Sequence, residues 1–276
     1  MHNPFVPETL EGWSVLHLMY RVDWERLKGI FPGDRHQMGQ EAAAALAQTT
    51  PAAEHGATAY VQMLGHKADL MVIVFRRTFD DLARAEHALA QSHLHNFLTP
   101  TTSYVSIVEL GMYEMTAKIH RQIGEQGLKV GSDEYNAAFD EEMGRQRQRV
   151  MGRLFLEVPK RRHVCFYPMN KRRGEGHNWY SEPFERRAEM MLEHGKIGRH
   201  YAGKVTQIIS GSIGFDDWEW GVDLFADDPV VFKQLIYEMR FDEASAKFAE
   251  FGPFYVGLQF GAAGLPTFLD GQLPDL

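Results

Sequence analysis

The chain has 276 residues, of which 44% are apolar and 24% charged, with a formal net charge of −8 and a single cysteine. That is the composition of a soluble globular protein with room for one large domain or two fused smaller ones. It excludes general nucleic-acid binding, which depends on cations that neutralise phosphates, an intrachain disulfide, and a spanning helix, because no apolar run approaches the roughly 20 residues required.

Met1 to Leu10 shows neither a basic segment nor an apolar one, so no secretory signal is expected, and lone Cys165 suits a reducing, cytoplasmic setting. Gly12 to Tyr20 reads as a strand, and helical stretches follow from Trp24 and near Gln40 to Ala47. Thr58 to Leu64 and Asp69 to Phe75 flank Gly65-His66-Lys67 as a hairpin. A helix is predicted from Asp80 or Asp81 to about Phe97, with an aspartate as its N-cap. Tyr104 to Leu110 is a β-branched strand.

The segment from about Glu114 to Lys160 is polar and helical, with a thin apolar stripe and breaks at Gly124, Gly127 and Gly131. Beyond it the earlier order returns. His163 to Met169 is a strand and Phe184 to His194 a helix that stops at Gly195. Lys204 to Ser210 and Trp218 to Phe225 are strands. A helix with Pro229 just inside its start runs to about Arg240, and Phe254 to Phe260 is the last strand. Asp270 to Leu276 is expected to be a loose tail.

Each half therefore reads β-α-β-β-α-β, the ferredoxin-like unit. Leu70–Leu82 and Trp220–Phe232 are the clearest matching pair, each an apolar strand, an acidic cap and a helix. The expected fold is α+β: two tandem ferredoxin-like units forming a dimeric α/β-barrel within one chain. Residues 1–113 form the first half, 114–160 a helical connector and 161–276 the second half.

Chemistry concentrates around Tyr167-Pro168-Met169-Asn170-Lys171-Arg172-Arg173. Lys160 to Arg173 holds six Lys or Arg and no acid, a cationic patch that calls for an anionic partner. Strand alternation places Cys165, Tyr167, Met169 and Lys171 on one face. Tyr167 is then either a half-buried phenol with an ordinary hydrogen-bond partner or a redox group, and Lys171 is either solvated or an anion clamp. Gln207 shares a face with Val205 and Ile209, as an edge amide or a pocket amide. His194 reads as a cation at a helix C-terminus or as a ligand. Arg240 and Ser245 read as a helix-terminal cation and a turn cap. His87, His93 and His95, spaced by six and two, do not align on one helix face and read as surface residues.

Several segments in order resemble the coproheme decarboxylases, the haem-biosynthesis branch of the chlorite dismutase-like family. They are YPMNKRR, MLEHG, KVTQ, EWGVDLFADDP and MRFDEAS in the second half, with GWSVLHLMYRVDW, GHKADLMV and SYVSIVEL matching more loosely in the first. The resemblance implies that iron-coproporphyrin III is both substrate and redox centre, with no separate metal. Hydrogen peroxide is the oxidant and haem b the product. By the same resemblance His194 is the proximal iron ligand, and Tyr167 carries a radical that takes hydrogen from a propionate. Gln207 is the distal residue, where chlorite dismutases have arginine. Arg153, Pro168, Met169, Asn170, Lys171, Arg240 and Ser245 contact the substrate. The implied assembly is a homopentamer, with transient contact to the enzyme that delivers coproheme. A chlorite dismutase or haem peroxidase, and a non-catalytic haem carrier or sensor, are the competing readings.

Overall fold

A computed structural model describes residues 6–50 and 52–276; most of the segment read for a leader, Met1 to Phe5, lies outside the described residues. The first half contributes β1 (Thr9–Val22), α1 (Trp24–Lys28), α2 (Pro32–Gln48), β2 (Gly56–Met63), β3 (Leu70–Arg76), α3 (Phe79–Gln91) and β4 (Leu98–Gly111). Its strands lie in the order β4–β1–β3–β2, antiparallel throughout. The connector forms α4 (Tyr113–Glu125) and α5 (Asp133–Leu154). The second half contributes β5 (His163–Lys171), α6 (Phe184–His200), β6 (Val205–Gly211), β7 (Trp220–Ala226), α7 (Val230–Met239), α8 (Glu243–Ala246), β8 (Ala249–Phe251) and β9 (Tyr255–Phe260), and α9 (Leu265–Leu269) closes the chain. The order β6–β7–β5–β9 repeats that of the first half.

The two sheets join at both edges. β4 meets β6 and β2 meets β9, so the strands close into one antiparallel barrel, with β8 added along the far end of β5. Irregular register in β1 at Glu11/Ser14 and Met19/Tyr20 lets that long strand bend around the barrel. At the β2–β9 edge, a Cβ on Gly257 would fall 2.3 Å from the Gln62 carbonyl oxygen, so only glycine allows this approach.

Alternation along each strand sends one set of side chains inward and one outward. The interior packs Val15, Met19, Val61, Met71, Ile73 and Phe75 from the first half against Val164, Phe166, Ile208 and Phe225 from the second. One polar pair crosses it: His17 Nε2 donates to Asp223 at 3.0 Å, both fully buried, and the imidazole stacks on Phe166. Outside, the first half is sealed by α2, α3 and α9 over Leu16, Leu18, Tyr20, Leu70, Val72 and Val74. The second half carries α6 and α7 over Cys165, Tyr167, Val222 and Leu224. α5 covers the start of β1, where Trp13 meets Phe155 edge-on and donates its indole N–H to the Leu156 carbonyl.

Several boundaries differ from the sequence reading. The α3 cap is Thr78, whose hydroxyl accepts the Asp81 N–H, and a 3₁₀ turn over His93–Phe97 replaces the helix's expected last turns. α6 passes through Gly195, because Ile197 and Tyr201 continue its apolar stripe onto the second-half core. The chain reverses at Gly203, which has φ of 81°. The expected loose tail is held at two points, since Asp270 accepts from Arg35 at 3.0 Å and Pro274 is buried, and its other residues are exposed. Among the described residues no helix is long and apolar enough to cross a membrane.

Candidate functional site

The outward face of the second half is less completely covered than its counterpart. The register aligns Cys165 with Leu224 and Gln207 across β5, β7 and β6, and Tyr167 with Val222 and Ile209 in the next row. Tyr167 and Gln207 therefore look out from the same face. Gln207 is half-buried and Ile209 is 38% exposed, so the layer is open here, whereas Tyr167, Val222 and Leu224 on the same face are buried.

Tyr167 is buried, with its ring against Phe254 (4.7 Å between centroids) and Phe251 (5.7 Å). Burial raises its phenol well above the ordinary value, with a smaller contribution from Cys165, so the hydroxyl keeps its proton. Cys165 itself is a buried hydrophobe whose thiol burial pushes up to about 12, as its apolar neighbours suggest.

α6 rests on α4, α7 and α8. Ile197, one turn beyond His194, belongs to the same cluster as Tyr167, so this helix covers the Tyr167 face. His194 is partly exposed, and its Nδ1 donates to Asp242 Oδ2 at 2.9 Å. Ser245 completes the group: its N–H donates to Asp242 Oδ1 at 2.9 Å and its hydroxyl to Oδ2 at 3.1 Å. Burial pushes the Asp242 carboxyl up, but the bonds from His194 and Ser245 outweigh it and hold the group below the usual carboxylate range. With Nδ1 tied to a carboxylate, Nε2 is the nitrogen left to meet a metal, the arrangement that orients and strengthens an imidazole ligand. The chain thus fits an iron ligand at His194.

Lys171 is buried, not solvated. Its ammonium donates to the Ala244 carbonyl at 3.0 Å and lies 4.3 Å from the centre of the Trp179 ring. Burial lowers it to about 8, against the opposing pull of Asp242 and Glu219. Four residues of strand separate it from Tyr167, roughly 13 Å, so one small group cannot touch both. Alternation turns Pro168 and Asn170 to the opposite side, where the Asn170 side-chain oxygen accepts the Glu219 N–H and Pro168 supplies a carbonyl to Gly252. Met169 is half-buried on the Tyr167 face.

Arg240 caps α7, and its guanidinium lies 5.5 Å from the Phe251 ring, one side chain away from Tyr167. Ser245, read from sequence as a substrate contact, is buried and engaged with Asp242 and His194. Arg153 is exposed in the last turn of α5, and no bond joins it to Tyr167, Lys171 or His194 among the described residues. Asp242 was missed in the sequence reading. Its signal was the spacing Asp242-x-x-Ser245, an N-cap pattern, but the link to His194 spans 48 positions and is visible only in three dimensions. His93 pairs with Glu41 and His95 meets Tyr20 edge-on; no group of metal-binding residues is found among the described residues.

The chlorite dismutase family model matches residues 35–260. A coproheme decarboxylase of Staphylococcus saprophyticus subsp. saprophyticus is 43% identical over 92% of this chain and 94% of its own length. The solved structure of a haem-binding protein from Thermus thermophilus is 40% identical, covers 98% of this chain and 100% of its own, and superposes with a TM-score of 0.79. A chlorite dismutase from Candidatus Nitrospira defluvii shares the fold at a TM-score of 0.70 and 17% identity, over 94% of this chain and 95% of its own.

Proposed function

This chain belongs to the chlorite dismutase family, and on that premise we propose that it is a coproheme decarboxylase, converting two propionates of iron-coproporphyrin III to vinyl groups with hydrogen peroxide and giving haem b. The observation that carries this reading is that Tyr167 and Gln207 share one sheet face beneath a helix whose histidine has Nδ1 fixed and Nε2 available. Identity to the staphylococcal decarboxylase over nearly the whole chain supports it.

Each turnover balances as propionate plus peroxide plus one proton giving vinyl, carbon dioxide and two waters. The iron porphyrin, when bound, supplies the oxidising chemistry with peroxide. The chain supplies the rest. His194, oriented by Asp242, holds the iron. Tyr167 is protonated and rigidly packed, so losing an electron requires it to release its proton, and the resulting tyrosyl radical takes a hydrogen atom from the propionate β-carbon. Burial among Phe251 and Phe254 keeps that radical away from bulk solvent. Lys171, lowered to about 8 and roughly 13 Å along the strand, pairs with a carboxylate at the ring's edge and can carry a proton near neutrality. Arg240 offers a second carboxylate partner at the mouth. Arg153, exposed in the last turn of α5, is assigned to a carboxylate of the substrate on the family resemblance alone. Pro168 and Asn170 act by fixing β5, and Ser245 contacts a propionate only if it gives up a bond to Asp242. Homopentamer assembly, a cytoplasmic setting and transient docking of the coproheme-delivering enzyme belong to the same proposal.

Gln207 separates this from chlorite chemistry, because a neutral amide gives no cation to hold an oxyanion. Protein loaded with iron porphyrin should release carbon dioxide with peroxide and evolve no oxygen with chlorite; oxygen evolution at enzymatic rates would overturn the assignment.

A further inference from the structure

The short helix α8 is tied to its surroundings from two sides. Towards α6, Glu243 takes the Arg186 guanidinium, and Ala244 packs with Met190, Trp179 and Phe248. Towards β5, the Ala244 carbonyl accepts the Lys171 ammonium at 3.0 Å. Asp242, the residue just before this helix, is thereby held rigidly beside His194, with its carboxylate buried.

Two bonds join Ser245 to that carboxylate, and they do different things. Its backbone N–H donates to Oδ1 at 2.9 Å, the N-cap bond that satisfies an amide left open at the helix start. That bond needs no side chain at position 245. The hydroxyl nevertheless donates to Oδ2 at 3.1 Å, the same oxygen that accepts the His194 Nδ1–H at 2.9 Å. Ser245 Oγ lies 3.4 Å from His194 Nδ1, so the three groups close into a triangle. A carboxylate oxygen shared by two donors binds each less strongly than it would bind one. The hydroxyl therefore limits the bond from Asp242 to the imidazole, and that bond sets how strongly the ring donates to a metal. Ser245 is only 6% exposed, so bulk water does not stand in for its hydroxyl.

We propose that Ser245 is a positioning residue for His194: by sharing Asp242 it keeps the imidazole a moderate iron ligand, so that the porphyrin can leave once it has reacted. A resident prosthetic group gains from the tightest hold on its metal, whereas a substrate has to be released. This role differs from the substrate contact that the family resemblance implies for Ser245, and it uses the bonds that the residue makes. The inference rests on the reading of His194 as the iron ligand, within the coproheme reading above.

The test uses the full-length protein loaded with haem b and, separately, with iron-coproporphyrin III. Ser245→Ala keeps the cap bond and removes the hydroxyl. The iron–imidazole stretching band of the ferrous protein, read by resonance Raman, should move to higher frequency with both porphyrins. Transfer of haem b to apomyoglobin should slow by about threefold. Asp242→Asn removes the shared charge, and adding Ser245→Ala to it should shift the band no further. Ser245→Cys, with a weaker donor of similar shape, should move the band in the same direction and serves if Ser245→Ala does not fold. A band that stays in place, or one that shifts equally in the Asp242→Asn background, would overturn the proposal. So would an unmoved band with a loss of affinity of roughly 10-fold or more, the result expected of a direct carboxylate contact. A shifted band in a protein that never decarboxylates coproheme would remove the coproheme reading and leave Ser245 positioning His194. Failure of both porphyrins to bind through His194 would remove both.

Discussion

The two halves of this molecule have the same strand order and different outer faces. In the first, Leu70, Val72 and Val74 on β3 are buried under α2, α3 and α9. The matching positions on β7 are Trp220, Val222 and Leu224, and the neighbouring strands supply Tyr167 and Gln207 where the first half has Leu18 and Thr58. One copy of the duplicated unit spends its outer face on stability. The other leaves part of that face uncovered, with Ile209 exposed and His194 partly so, and it is there that the proposed site lies. The contrast teaches that a site can be made on a repeated fold by removing cover from one copy, while the shared barrel interior holds both rigid.

The strongest way to break this comparison is to remove one hydroxyl from each half. Tyr167→Phe should lower coproheme turnover by roughly 1,000-fold while binding changes less than about threefold, as expected for a group that acts only in the reaction. Tyr20→Phe, on the corresponding strand β1, should leave turnover unchanged. Equal effects from the two would mean that Tyr167 is only a core residue.

Stability should show the reverse asymmetry. Leu70→Ala removes a fully buried side chain and should cost about 3 kcal/mol in chemical denaturation, whereas Ile209→Ala, on the open face, should cost less than about 0.5 kcal/mol. A large loss at Ile209 would show that the second face is sealed in solution.

The smallest effect concerns Lys171. Its folded value of about 8 lies below the ordinary value of 10.5, so the unfolded chain binds more protons between those limits. Its contribution is fully present above about 10.5 and is lost as the pH falls through about 8. The stability of the protein relative to Lys171→Met should therefore rise by on the order of 1 kcal/mol between pH 8 and pH 10. A flat difference would mean the ammonium is solvated.

Strand and helix periodicity carried the duplicated β-α-β-β-α-β order, because Leu70–Leu82 and Trp220–Phe232 repeat the same apolar strand, acidic cap and helix. Barrel closure was expected from the pairing of two such units, but its seams were not written in any local pattern. β2–β9 depends on the absence of a side chain at Gly257, and β4–β6 is a short contact between distant segments. The end of α6 was misplaced because Gly195 resembles a terminator, while Ile197 and Tyr201 gain enough burial to carry the helix past it. Alternation correctly put Tyr167, Met169 and Lys171 on one face. It gave no sign that Lys171 ends on Trp179, that Asp242 fixes His194, or that Tyr113 from the connector meets Arg187 and Trp220 around a cavity. Each of those contacts joins elements far apart in the chain.

The most direct test is to load the apoprotein with iron-coproporphyrin III, add peroxide in steps and follow the porphyrin by mass spectrometry. The account predicts successive loss of two carboxyl groups, with the mass settling at haem b. Tight binding followed only by bleaching of the ring, with no decarboxylated species, would contradict it.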